Sequence, residues 1–144
     1  MSRAVVIQAI INDSVLSAKG FDASSVRTNY DGEQRPSDHM FMVLRWGPLD
    51  LDPRILRGTK KLTIWVHMYR EFSTDYVRID NVIDRLESVL TDIIDVPGED
   101  GFTLTLVEPD GASEDLKDDG YQTICRSVSF RVLSRKTQPR KVEV

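Results

Sequence analysis

KKLTIWVHMYREFSTDYVRIDNVIDRLESVLTDIIDVPG, residues 60–98, decides how this chain is read. Up to Tyr69 the pattern has a period of two. Leu62, Ile64, Val66 and Met68 fall on one side, and Thr63, Trp65, His67 and Tyr69 on the other, as in a strand with one buried face. Beyond Ser73 the period changes. Ile79, Val82, Ile83, Leu86, Val89, Leu90 and Ile93 recur at three- and four-residue steps, the apolar stripe of an amphipathic helix over 78–94. Ser73 or Thr74 is placed to cap it, Asp75 puts a negative charge where its free amides point, and Pro97-Gly98 stops it.

Working outward, residues 2–20 read as a first helix, with Ser2 as cap, Val5, Val6, Ala9, Ile10 and Leu16 on one stripe and Gly20 as the stop. The β-branched run 5–11 leaves a strand open as an alternative. Val26, Thr28 and Tyr30 alternate in a short strand, a polar loop with Asp31-Gly32 and Pro36 follows, and MFMVLRW at 40–46 is a mostly buried strand. These two strands read as a hairpin. GPLDLDPRILRGT, 47–59, carries Pro48 and Pro53, which excludes a central strand or unbroken helix. Two more strands follow, with Phe102, Leu104 and Leu106 inward on one and Ile124, Val128, Phe130 and Val132 on the other. Between them lies an acidic hairpin loop, and the segment from Arg135 is a basic tail. Two helices and about five strands joined by hairpins predict an α+β domain over 1–134, a twisted, mainly antiparallel sheet with helices on one face, followed by the tail 135–144.

The chain has 144 residues, enough for one core, with 19 Lys+Arg against 23 Asp+Glu. That acidic balance disfavours a role built on duplex phosphates. The single cysteine, Cys125, cannot form an intramolecular disulfide, and no run is long and apolar enough to span a bilayer. With no signal-peptide pattern at the start, a soluble cytosolic product is expected.

Catalytic chemistry finds little support. His67, Arg70 and Glu71 cluster where the strand ends, but nothing in the local spacing brings a partner to His67, which reads as a surface or interface histidine. His39 beside Asp38 fares no better. Asp80, Asp84 and Glu87 share helical spacing, yet interleaved arginines make an ordinary charged face. Cys125 falls in a strand and reads as packed. Phosphate loops, dinucleotide fingerprints and nucleophile elbows are absent. Catalytic, cofactor-binding and metal residues are therefore assigned to none.

What remains is apolar and charged surface. Leu49, Leu51, Ile55 and Leu56 sit among backbone breakers and need cover, either from their own core or from a neighbouring subunit. With Arg54, Arg57, Lys60, Lys61, Arg135 and Lys136 they form a candidate subunit or tube interface. Residues 108–119 hold six acids and one lysine, among them Asp110, Glu114, Asp115, Asp118 and Asp119. Opposite charges on unlike surfaces suit a ring closed by head-to-tail contacts.

Taken together, residues 2–20, RPSDHMFMVLRWG, DPRILRGTKKLTIWVHMYRE and STDYVRIDNVIDRLESVL, followed by two strands around an acidic loop, resemble the tail terminator (tail completion) proteins of long-tailed bacteriophages, in particular those of actinobacterial phages. The resemblance spans nearly the whole chain and contains no mechanistic motif. It implies an α/β subunit of a hexameric ring that caps the last layer of tail-tube protein, stops polymerisation and offers a surface to head-completion proteins. It implies no catalysis and no cofactor, genomic DNA passing through the lumen without specific binding, no membrane, and a place at the tail–neck junction of the virion after assembly in the host cytoplasm. On this reading the acidic loop lines the lumen or meets the neck protein. The rival readings are a head–tail connector or stopper of the neck, a small ligand-binding or enzymatic α+β domain, and a DNA-binding accessory factor.

Overall fold

The computed structural model describes residues 3–28, 39–48, 50–52 and 57–137. In chain order the elements are α1 (Arg3–Ile11), α2 (Ser14–Ala18), β1 (Val26–Arg27), β2 (Met40–Trp46), β3 (Asp50–Asp52), β4 (Arg57–Tyr69), α3 (Val77–Thr91), β5 (Ile94–Pro97), β6 (Phe102–Ala112), β7 (Leu116–Asp118) and β8 (Thr123–Lys136). The sheet runs β1-β2-β4-β8-β6-β5, with β3 pairing the start of β4 and β7 the start of β8.

The α+β expectation of about five antiparallel strands is overturned. The molecule is mostly β, a curled, mixed half-barrel sheet with three helices. Three local features account for the difference. First, β1 pairs β2 in parallel, Val26 beside Met42, so the two are not a hairpin. Second, Ile94–Pro97 leaves the end of the helix and pairs with β6 as a strand. Third, residues 50–52 and 116–118, both read as loop, add short rungs against β4 and β8.

The central ladder follows the alternation closely. Leu62, Ile64, Val66 and Met68 are fully buried, opposite Phe130, Val128, Arg126 and Ile124 of β8. Helix α3 lays Ile79, Val82, Ile83, Leu86 and Leu90 on that face. Burying each such side chain contributes about 1.5–3 kcal/mol, so this layer carries most of the fold. The helix begins later than the capping residues suggest. Its N-cap is Tyr76 without a side-chain cap bond, while Asp75 accepts from the Val77 amide at 3.0 Å and Ser73 from the Asp75 amide at 3.1 Å.

The first helix is two. It breaks after Ile11 because the Asp13 carboxylate accepts the Leu16 amide at 3.0 Å and starts a new helix. Arg85 of α3 grips the same carboxylate through two hydrogen bonds, 3.0 and 2.6 Å, and its guanidinium holds the Asp13 carboxyl below the usual range. Gly20 closes α2 with φ +95°, the left-handed conformation that lets the Phe21 amide return to the Leu16 carbonyl. In β6 the register against β8 shifts between Leu104 and Leu106. Leu104 is therefore buried, as expected, while Val107 takes the inward place assigned to Leu106. Arg135 and Lys136, read as the start of a tail, are the last residues of β8.

Candidate functional site

The face of the sheet away from the helices has its own small cluster. Phe41, Val43, Tyr69 and Tyr121 are buried there with Trp65 against them. His67 belongs to this group and is not a surface residue, being only 4% exposed. Its ring stacks on Phe41 at 4.7 Å and meets the edge of Tyr121 at 5.4 Å, and its Nδ1 bonds the Thr123 hydroxyl at 2.8 Å. Phe41, Thr123 and Cys125 lie beside it through strand register alone, with Cys125 directly across on β8.

His67 and Cys125 line a cavity of about 330 Å³ with Asp118. The walls are completed by Val43, Trp65 and Leu116, with Arg45 and Lys117 also lining it. A cysteine, a histidine and an aspartate in one cavity invite comparison with a thiol nucleophile and its base. The electrostatics oppose it. Burial lowers the His67 imidazole to about 4, against a smaller opposing pull from Asp118. Burial raises the Cys125 thiol to about 11, with Asp118 adding to the rise. An activated pair needs a lowered thiol beside a cationic imidazole, whereas both groups here are neutral near pH 7. The cavity can accept an apolar or hydrogen-bonding group; as built, it does not generate a thiolate.

The acidic segment meets the cavity through Leu116, Lys117 and Asp118. It is not a free hairpin loop, because β7 pairs with β8 and Tyr76 of α3 donates its hydroxyl to the Leu116 carbonyl at 2.7 Å. Arg126 donates to the Ser113 carbonyl at 3.1 and 3.0 Å, pairs with Asp80 and reaches Asp115 at 3.7 Å. Arg70 binds Asp119 at 2.7 Å, and Arg131 stands 3.8 Å from Glu108 and 3.9 Å from Asp110. Asp118 accepts the Tyr121 amide at 3.0 Å. Asp115 and Asp119 nevertheless keep side chains 62% and 89% exposed, and Glu114 is exposed. Among the described residues no group of three or more His, Cys, Asp or Glu is placed to hold a metal ion.

Of the expected interface, Leu49, Arg54, Ile55 and Leu56 lie outside the described residues, and Leu51 and Arg57 are placed only as strand positions. The rest converges. Arg57 is opposite Arg135, and Lys61 opposite Arg131, where β4 begins and β8 ends. Lys60 lies 6.0 Å over the Trp46 ring, which Arg3 approaches at 5.9 Å. Burial, then the nearby Arg3, lower the Lys60 ammonium. Cationic positions thus gather at this end of the sheet, with Arg131 also facing Glu108 and Asp110. The acidic segment 114–119 lies at the other end of the same ladder, β7 pairing with Thr123–Cys125. Some ten residues of β8, roughly 33 Å of extended strand, separate the two.

A further surface escaped the sequence reading. Between α1 and β5 runs a groove of about 480 Å³ lined by Val5, Ala9, Ile93, Val96 and Pro97 among others. Beside it Ile94 is 61% exposed and Val96 37%. Ile93, Ile94 and Val96 carry more apolar surface than a helix end needs, a signal for it that Pro97-Gly98, read as a helix stop, conceals. No protein-family model matches the chain, and no curated protein shows significant similarity to it.

Proposed function

We propose that this chain is a structural subunit that assembles with copies of itself into a ring, and that the ring is a tail terminator of a long-tailed phage. It caps the tail tube, ends its polymerisation and presents the attachment surface for the head-completion protein, with the genome passing through its lumen. The observation that carries the reading is the separation of charge along one ladder, cations where β4 begins and β8 ends, and Glu114, Asp115, Asp118 and Asp119 in and beside β7 at the other end. Unlike surfaces on one subunit make heterologous contacts, which close into rings when the rotation permits. The resemblance of the sequence stretches to tail terminators supplies the biological setting. The exposed Ile94 and Val96 and the neutral His67–Cys125 pair agree with a molecule whose surfaces are for docking.

Electron microscopy of the purified chain mixed with tail tubes tests it. Rings seated on tube ends, together with overlong headless tails when the chain is withheld from assembly, are the expected result. Tubes left open at both ends, or rings bound only to the portal side of heads, overturn it, the latter in favour of a neck connector.

A further inference from the structure

We propose that the exposed edge of β5, Ile94 with Asp95 beside it, enters the open-face cavity of a second copy of this chain, Ile94 against Val43, Trp65 and Leu116 and Asp95 between Arg45 and Lys117. The inference deepens the ring reading and rests on it, because it names a contact that joins one subunit to the next.

The cavity calls for a group that is apolar at its tip and acidic beside it. Val43, Trp65 and Leu116 give it apolar walls, and Arg45 and Lys117 stand exposed along it. Among the described residues neither cation has an ion-pair partner. Two cations in the lining thus stand against one carboxylate, Asp118, which already accepts the Tyr121 amide at 3.0 Å.

β5 supplies that chemistry. Ile94 and Val96 are exposed, Asp92, Asp95 and Glu99 around them are exposed too, and no lysine, arginine or histidine falls between Arg85 and Lys117. The other exposed large apolar side chains have cations at hand and would bring like charge to Arg45 and Lys117. Arg78 lies 4.9 Å over the Phe72 ring and follows Val77, and Lys19 comes four residues after Val15. Asp95, at φ +51°, breaks the extended run, so a neighbour meets side chains at this edge and not a ladder of amides. The chain's own β5 cannot serve. Ile94 and Val96 are held in register against Leu106 and Leu104 of β6, roughly 14 Å across the ladder from β4. Val96 lines the α1 groove on the helix side of the sheet, while the cavity opens on the other side. Donor and acceptor are unlike surfaces of one subunit, so the contact repeats head to tail, and opposite charge steers it into register.

The test uses the full chain in two variants. Ile94→Ser removes the donor side chain and leaves the cavity intact. Arg45→Glu with Lys117→Glu reverses the acceptor charge and leaves β5 intact. All three positions are exposed, so the fold is expected to be kept, read as unchanged urea midpoints. Sedimentation velocity at moderate salt is expected to show each variant roughly tenfold or more weaker in self-association than the parent. The 1:1 mixture is expected to give dimers that do not grow, because one intact β5 and one intact cavity remain. A parent that stays monomeric, variants that assemble like the parent, or a mixture that stays monomeric overturns the proposal. The ring reading fails separately. Rings on tube ends that persist in both variants remove this contact and leave the ring. A parent that associates through these residues yet forms only open chains, never capping a tube, removes the ring and leaves the contact.

Discussion

The two faces of β4 are written in alternate residues and meet different fates. Leu62, Ile64, Val66 and Met68 vanish beneath α3 and α1, while Thr63, Trp65 and His67 look onto a face that no helix among the described residues covers. On the covered face Leu62, Ile64, Val66 and Met68 are fully buried against the helices. On the open face Phe41, Val43, Tyr69, Tyr121 and Trp65 form a small cluster with His67, and a cavity is left beside it. One strand thus presents two unlike faces by parity alone.

The sharpest break of that comparison is a pair of neighbouring truncations. Ile64→Ala on the covered face is expected to lower the stability of the fold by about 2–5 kcal/mol, since the helices above it cannot collapse fully into the void. Thr63→Ala, one residue away on the open face, is expected to change it by less than about 0.5 kcal/mol. Its hydroxyl contacts Ser129 only at 3.4 Å. Urea titration of both variants checks the contrast; equal costs would mean that the open face is packed as tightly as the covered one.

Next in size is the acid sensitivity of the open-face cluster. His67 is held near 4 in the folded chain against an ordinary 6.5. Below 6.5 the unfolded chain takes up a proton that the folded chain refuses. The stability associated with a neutral His67 is therefore complete above about 6.5 and lost as pH falls toward 4, by roughly 3 kcal/mol in all. His67→Phe keeps a ring against Phe41 and removes the titration. The stability difference between parent and variant is expected to shift in favour of the variant on going from pH 7 to pH 4.5. A parallel pair of curves would place His67 in contact with water.

Asp13→Ala probes the covered side from the helix end. Loss of the cap on α2 is expected to cost about 1 kcal/mol, read as a lower urea midpoint with unchanged slope.

Those sites also show what a sequence makes legible. The Leu62–Met68 alternation and the Ile79–Leu90 stripe could be read directly, because each is a local periodicity imposed by one partner layer. The break at Asp13 rests on a local cap, the carboxylate that accepts the Leu16 amide, but the Arg85 that holds this carboxylate in place is seventy-two residues away and could not be read. The inward place taken by Val107 depends on a register shift against β8, and register is a property of two strands. The same holds for the site. His67 looked partnerless because Phe41, Thr123 and Tyr121 become its neighbours only when β2 and β8 flank β4. The parallel pairing of β1 was hidden for a further reason, as two residues give no pattern from which to read direction.

The smallest expected effect on the fold comes from the edge opposite β1. Natural sheets protect their edges from unwanted pairing with charges, proline and bulges. β5 has a charge and a proline: Asp95 adopts φ +51°, which interrupts the regular extended backbone, and Pro97 offers no amide. A neighbour therefore cannot extend the sheet here by a regular ladder, and any contact must be made through side chains. Ile94 and Val96 are the side chains provided, apolar and exposed beside the α1 groove. Ile94→Lys, already mostly in water, is expected to leave the urea midpoint within about 0.5 kcal/mol of the parent. On the proposed ring function it is expected nonetheless to reduce capping of tail tubes, counted as the fraction of ring-bearing ends in micrographs. Unchanged capping would assign these exposed side chains to solvent and leave the work of assembly to the charged ends of β4 and β8.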